Sequence, residues 1–545
     1  MAHGGKILVE SLNAHGVRRV SCVAGESYLP VLDALLDYPD IEVITCRQES
    51  GASFMADGWG NLNDGAPGVA FVTRGPGACN ASIGLHTAMQ ASTPVILFVG
   101  LINTKDRGRE AFQEFDLEQM FGSLSKWAAV IDKAEDIPEM VAKAFHVAGS
   151  GRPGPVVLGL PEDILFPDVS GVQQVTPLEV SEIAPKADDV AAIQEALQGA
   201  EKPIVLVGGS LWGDEDCRAL ENLAKNSNLP VVTSFRRQDI FNHKHECYGG
   251  ELGTGPNPKL VERMGQADLV LILNARVNEI TTQSYAIVQG GDQKIVHVHP
   301  SSSVFGKGCK ADIEIESQIA PMAKALADMK IDGGKWEVWC QEARRDYEEW
   351  SGIDKTQEQN WDGADVTQIF GELRELLPED AIITGDAGNF SGWVQRYLHY
   401  GRPGRLLAPV SGAMGYAVPS AVGAAIARPD KTVVGFCGDG GFMMTGQELA
   451  TAAHHGAKPI ILVFNNSVFG TIRMHQEREY PGRHSGTDLT NPDFVKLGES
   501  YGAFAARVEK AADFKNAWDE ALKSGKAALI EIVMDPRQST TRSEP

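Results

Sequence analysis

The chain has 545 residues, with 49 Lys and Arg against 72 Asp and Glu and a net charge of −23. That length exceeds one hydrophobic core and suggests about three domains of ~100–200 residues. The acidic balance opposes phosphate backbones and anionic lipid, so nucleic acid is excluded as a partner, and an anionic substrate must be drawn in locally by a cation or a helix N-terminus.

The eight cysteines are scattered without a Cys-x-x-Cys, which reads as reduced thiols. The first thirty residues show no basic start followed by an apolar run and a cleavage site. The longest apolar stretches, such as Pro94 to Ile102, fall far short of the ~20 residues needed to cross a bilayer. A cytoplasmic protein without membrane contact is expected.

Short apolar runs alternate with helical patterns throughout, which predicts an α/β fold of parallel sheets with crossover helices. In chain order, CVAGE (22–26) is a strand ending in glycine and an acid, and IEVIT (41–45) is a strand leading into CRQESGASFMADGW (46–59) and Glu49. GVAFVT (68–73) then runs into the glycine turn RGPGACN (74–80), a helical segment and the strand PVILFVG (94–100). After a polar stretch at 171–188, the middle block holds the strands KPIVLVGG (202–209), ADLVLILNAR (267–276) and KIVHVHP (294–300). That is a Rossmann-like outline whose Gly208-Gly209 falls short of the G-x-G-x-x-G fingerprint. A second pattern-poor stretch at 330–362 reads as a linker. Beyond it, IITGD (382–386) precedes TVVGFC (432–437), the turn GDGGFM (438–443), a helical segment and KPIILVFNN (458–466). The third block thus repeats the first: strand, glycine turn, helix, strand. The expected domains are 1–170, 189–330 and 362–545, three doubly wound parallel sheets with the first and third alike. Such a pair can build a site at the carboxyl ends of their strands.

The sharpest motif lies in the third block. Gly438-Asp439-Gly440 ends one strand and Asn465-Asn466 ends the next, so both land on one sheet edge. Alone, Gly-Asp-Gly is most often a turn. Paired with Asn466, Asp439 supplies hard oxygen ligands suited to Mg²⁺, and the glycines admit a diphosphate to the backbone. The histidine pairs His454-His455, His297/His299 and His243/His245 lack a Cys or carboxylate at zinc-like spacing and read as structural. Arg276, at a strand end, suits either a phosphate or the surface.

These motifs resemble those of the thiamine diphosphate enzymes that include acetohydroxyacid synthase, pyruvate oxidase and pyruvate decarboxylase, over nearly the whole chain. The resemblance implies thiamine diphosphate and Mg²⁺ as cofactors, with Asp439, Asn466 and the Val468 carbonyl as metal ligands. VSGAMGYAVPSAVGAA (410–425) is similar to the family segment in which Met414 would support the bent cofactor and the Gly412 carbonyl would accept from its 4′-amino group. Gly25, Gly75, Asn389, Gly438, Gly440, Gly441 and Phe469 complete the implied cofactor contacts. Glu49 stands where the family carries its activating acid; its plain alternative is a helix N-terminal carboxylate stabilised by the dipole.

AFQEFD (111–116) resembles the Phe-Gln-Glu stretch of the synthases, so Phe112 and Gln113 are candidates to line the reacting centre. TRGPGACN (73–80) and SGRPGPVVLGLPED (150–163) are similar to their turn and closing strand. Arg74 replaces their usual Ser, and His475 stands where they have a Trp shaping the acceptor pocket, so acceptor choice is expected to differ. The His-His pair of pyruvate decarboxylases is absent from INTKDRGREAFQEFD. The resemblance therefore implies an acetolactate synthase-like carboligase that decarboxylates a 2-oxo acid such as pyruvate and joins it to a carbonyl acceptor. It also implies a homodimer or homotetramer with sites between chains. The alternatives are a non-oxidative decarboxylase or C–C lyase on the same cofactor, and a non-catalytic cofactor-binding subunit. FAD, which binds the middle domain of the synthases beside an acidic strand end, is left open but disfavoured, because KIVHVHP ends in His-Pro.

Overall fold

The structure is a computed structural model, and it describes residues 2–62, 65–354 and 361–541. Continuous Val, Ile and Leu runs such as Val95–Leu101 and Ile460–Asn465 are buried along their lengths, as strands covered on both faces must be. They assemble into three six-stranded sheets in which every pairing is parallel. A two-stranded antiparallel pair, Ala2–His3 with Asp168–Val169, ties the chain start to the end of the first block.

The first sheet runs Glu42–Thr45, Arg19–Cys22, Gly68–Val72, Val95–Leu101, Pro155–Pro161, Trp127–Val130. The third runs Leu406–Leu407, Ile382–Gly385, Val433–Gly438, Ile460–Asn465, Ala528–Val533, Phe504–Val508. Numbered within each block, both orders are 2-1-3-4-6-5, so the repeat legible in the sequence is a repeat of topology. The middle sheet runs Tyr248–Leu252, Val231–Ser234, Pro203–Val207, Leu269–Leu273, Lys294–His299, Ile313–Glu316. This is the 3-2-1-4-5-6 order of dinucleotide-binding folds.

The helix Glu49–Leu62 sits between two others, Gly75–Ala91 of its own block and Ala417–Ala427 of the third. Ala417–Ala427 is almost entirely Ala, Val and Gly and is buried nearly all round, the mark of a helix inside a large core. Trp59 donates its indole N–H to the Gly423 carbonyl at 2.9 Å, joining the first and third blocks.

Residues 330–362 correct the linker reading. They hold the helix Glu337–Ser351, and Trp336, Trp339, Cys340 and Tyr347 are buried in the cores of the middle block. Residues 355–360 of that stretch lie outside the described residues.

Candidate active site

In each outer sheet the strand order reverses between its first and third strands, and there the carboxyl ends part to leave a crevice. In the third block those ends are Asp386-Ala387-Gly388 and Gly438-Asp439-Gly440. A cavity of about 260 Å³ opens at this point, lined by Asn389, Gly412, Met414, Gly438, Asp439, Gly440, Gly441, Asn466, Val468 and Phe469. The third-block residues singled out from the sequence as cofactor contacts thus converge on one cavity. Its shape depends on glycine: a Cβ on Gly440 would come within 2.6 Å of the Phe469 ring, and one on Gly441 would strike the Asp386 carboxylate.

Asp439 is buried, and its Oδ2 accepts from the Ser467 N–H at 2.8 Å and from Asn491 Nδ2 at 2.7 Å. Burial pushes its carboxyl above the usual range, against those bonds and the Gly440 N–H. Ser467 is left-handed at φ 57° and turns the chain between Asn466 and Val468; Asn466 Oδ1 accepts the Val468 N–H at 3.1 Å. Asn491 also donates to Asn465 Oδ1 at 2.9 Å, so one amide steadies both strand ends.

Among the described residues no group of three or more His, Cys, Asp or Glu stands ready for a metal. What gathers here is a carboxylate, an amide and a carbonyl, an oxygen set that fits Mg²⁺ and not zinc. A divalent cation would supply the positive charge that the buried Asp439 lacks. The residues present therefore fit the cation and the diphosphate.

Asp386 was missed in the sequence, although its strand end was noted. It is buried, and its carboxylate accepts from the Gly415 N–H at 2.9 Å and the Ala387 N–H at 2.9 Å. Burial raises it to about 6. These bonds fix the loop that carries Gly412 and Met414. Arg236 of the middle block completes the brace by donating to the Pro409 carbonyl at 2.6 Å and the Asp386 carbonyl at 3.0 Å. Asn389 accepts from the Thr471 hydroxyl at 2.8 Å. Asn389 and Gly412 also line a second chamber of about 610 Å³, on whose wall lie His475, Ile280, Tyr248 and Glu251.

The other candidates gather on the first sheet. Glu49 opens the helix Glu49–Leu62 and accepts from Asn80 Nδ2 at 2.9 Å. Glu448, reaching across from the third block, accepts the Arg47 and Gln48 N–H groups just before it at 3.1 Å and 3.0 Å. Gly25 lies against Thr73, and a Cβ on it would come within 2.6 Å of that side chain. Gly75 donates its N–H to the carbonyl of Gln113, itself left-handed at φ 65°, while Phe112 is 78% exposed. Arg74 pairs with Glu26 and Glu162 at 2.7 Å each, tying two strand ends of this sheet. Among the described residues, none from the first block lines either cavity.

Comparison with known proteins agrees with this architecture. Family models of the thiamine pyrophosphate enzymes match residues 2–120 (N-terminal TPP binding domain), 190–326 (central domain) and 386–532 (C-terminal TPP binding domain). The chain belongs to the thiamine pyrophosphate enzymes. Its similarity extends to a probable acetolactate synthase large subunit of Methanocaldococcus jannaschii, 30% identical over 99% of this chain and 93% of that protein. It extends also to the acetolactate synthase isozyme 2 large subunit of Escherichia coli K12, 28% identical over 98% and 96%, and to an acetolactate synthase of Bacillus subtilis, 29% identical over 98% and 93%.

Proposed function

We propose that the protein is an acetolactate synthase-like carboligase: it decarboxylates a 2-oxo acid such as pyruvate and joins the remaining two-carbon unit to a second carbonyl. The observation that carries this reading is the 610 Å³ chamber that shares Asn389 and Gly412 with the cofactor-sized cavity, which has room to position a second substrate beside the first. Bound thiamine diphosphate supplies the nucleophilic carbon and the electron sink. Asp439, Asn466 and the Val468 carbonyl would hold Mg²⁺, Met414 and the Gly412 carbonyl would orient the cofactor, and the Glu49 carboxyl would hold a proton for it. Phe112 and Gln113 close the reacting centre, and His475 shapes the acceptor end of the chamber.

No described first-block residue of the same chain lines either cavity, which supports a working dimer or tetramer in which the first block of one copy covers the third block of another. The division at 1–170, 189–330 and 362–545 serves this reading, with the helix Glu337–Ser351 added to the middle unit. All eight thiols are free, which suits a reducing cytoplasm.

Product analysis with a panel of 2-oxo acids and aldehydes tests the assignment. Pyruvate is expected to give mainly acetolactate, or a mixed hydroxyketone when an aldehyde is added. Free aldehyde as the main product across the panel would overturn it.

A further inference from the structure

The middle sheet has the strand order of a dinucleotide-binding fold, and the crevice at its reversal, where such a fold holds the diphosphate, is filled here. The reversal lies between Pro203–Val207 and Leu269–Leu273. Their carboxyl ends are stitched together, since Asn274 Nδ2 donates to the Ser210 carbonyl at 2.9 Å. A Cβ on Gly208 would come within 2.9 Å of Ala275, and one on Gly209 would strike the Asn274 carbonyl. These glycines let two strand ends close on each other.

The helix after the first strand, Asp214–Ser227, opens with Asp214, Glu215 and Asp216, and the Gly213 N–H is already taken by Asp216 Oδ2 at 2.8 Å. Three acids repel the diphosphate that this helix end would otherwise attract. The end of the second strand, where an acid would meet the ribose, reads Ser234-Phe235-Arg236, and Arg236 is spent on the third block. The space left beside Gly209–Asp214 is about 200 Å³, below the ~300 Å³ at which ligand pockets begin. At the reversal, the residues of the middle block do not fit the diphosphate of FAD.

What they hold is the end of a helix. The last four carbonyls of an α-helix have no partner within it. For Gly75–Ala91 and its cap Ser92, each of the four is met by a side chain. Arg152 donates to Met89 O, Arg276 to Gln90 O at 2.5 Å, Arg237 to Ala91 O at 2.6 Å and the Ser210 hydroxyl to Ser92 O at 2.6 Å. Arg276, which is half-buried, also reaches the Gln90 side chain at 3.2 Å. Three guanidinium groups crowd here, and burial and mutual repulsion lower Arg152 to about 10 and Arg276 below its ordinary value. The negative end of the helix dipole offsets that repulsion.

We propose that the nucleotide crevice of the middle domain is a dock: it grips the C-terminal end of helix Gly75–Ala91 and, through that helix, steadies Asn80 against Glu49, in place of binding a dinucleotide. Ser210, Arg237 and Arg276 are positioning residues. Their link to catalysis rests on the proposed role of Glu49, whereas the docking itself does not, and a readout without substrate separates the two.

The test uses the holoenzyme with thiamine diphosphate and Mg²⁺. FAD and ADP are titrated in, followed by flavin fluorescence and calorimetry, and neither is expected to bind saturably. Hydrogen–deuterium exchange is then compared between wild type and Arg276→Ala. Exchange is expected to rise along 79–91, up to the turn bearing Asn80, with protection partly restored in Arg276→Lys. Should Arg276→Ala fail to fold, Ser210→Ala removes one of the same bonds and is expected to raise exchange over the same segment. Stoichiometric binding of FAD or ADP would overturn the proposal, as would unchanged exchange along the helix in every folded variant.

Discussion

Asp57 carries a charge where charge is costly. It is buried within the helix Glu49–Leu62, and its Oδ2 accepts from the Tyr416 hydroxyl of the third block at 2.6 Å and from Asn61 at 3.1 Å. Burial lifts it from 3.8 to about 6, against those bonds and the charge of Arg237. A carboxyl with a raised folded-state value holds its proton more tightly when folded. Its contribution to stability is full below the unfolded value and is lost as pH rises through about 6, a change on the order of 3 kcal/mol for two units. Asp57→Asn still accepts from Tyr416, so it is expected to be more stable than wild type above that pH and to lose the margin near 3.8; denaturation curves at both ends of the range check this. Asp439→Ala and Asn466→Ala are each expected to abolish retention of cofactor with Mg²⁺, because each removes one of few protein ligands, and calorimetric titration showing wild-type affinity would refute the metal assignment. Asp439 and Asn466 were legible because they end successive strands. Asp386, Asn491 and Arg236 were not, since their partners lie far along the chain and nothing local marks the contact.

Small residues explain how one helix bears neighbours on two sides. In ESGASFMADGWG, Ser53 faces Gly84 so closely that a Cβ there would strike it, and Gly60 lies against the Pro94 carbonyl. Gly84→Val is expected to push the helix Gly75–Ala91 away and to cost ~1–3 kcal/mol by overpacking, read as a lowered midpoint in chemical denaturation. The same glycines and alanines that pack these helices blurred their apolar period in the sequence. The helix Glu337–Ser351 was hidden differently. Trp336, Trp339, Cys340, Ala343 and Tyr347 do recur at helical spacing, but Glu, Arg and Asp between them give the stretch the look of a solvated linker.

At the level of the whole molecule, the sheet edges divide the labour. The third sheet's edge gathers the cofactor cavity, the first presents Glu49 with Gln113 and Phe112, and the middle edge joins the other two. Co-assembled Glu49→Gln and Asp439→Ala chains are expected to recover activity, because a mixed dimer contains one site with both residues intact; no recovery despite demonstrated subunit exchange would place the sites within single chains. The strand alternation made three α/β blocks legible, but the route by which the middle one grips its neighbours was not, because it runs through backbone carbonyls that have no sequence signature.

The identical 2-1-3-4-6-5 order of the outer sheets has a consequence for ancestry. Descent of both from one duplicated half accounts for it. After duplication each copy was free to lose what the other kept. In this chain the third-strand turn of one copy carries Asp439, while the matching turn of the other carries Arg74, locked between Glu26 and Glu162. The same topological position thus carries a buried carboxylate in one copy and an internal ionic brace in the other.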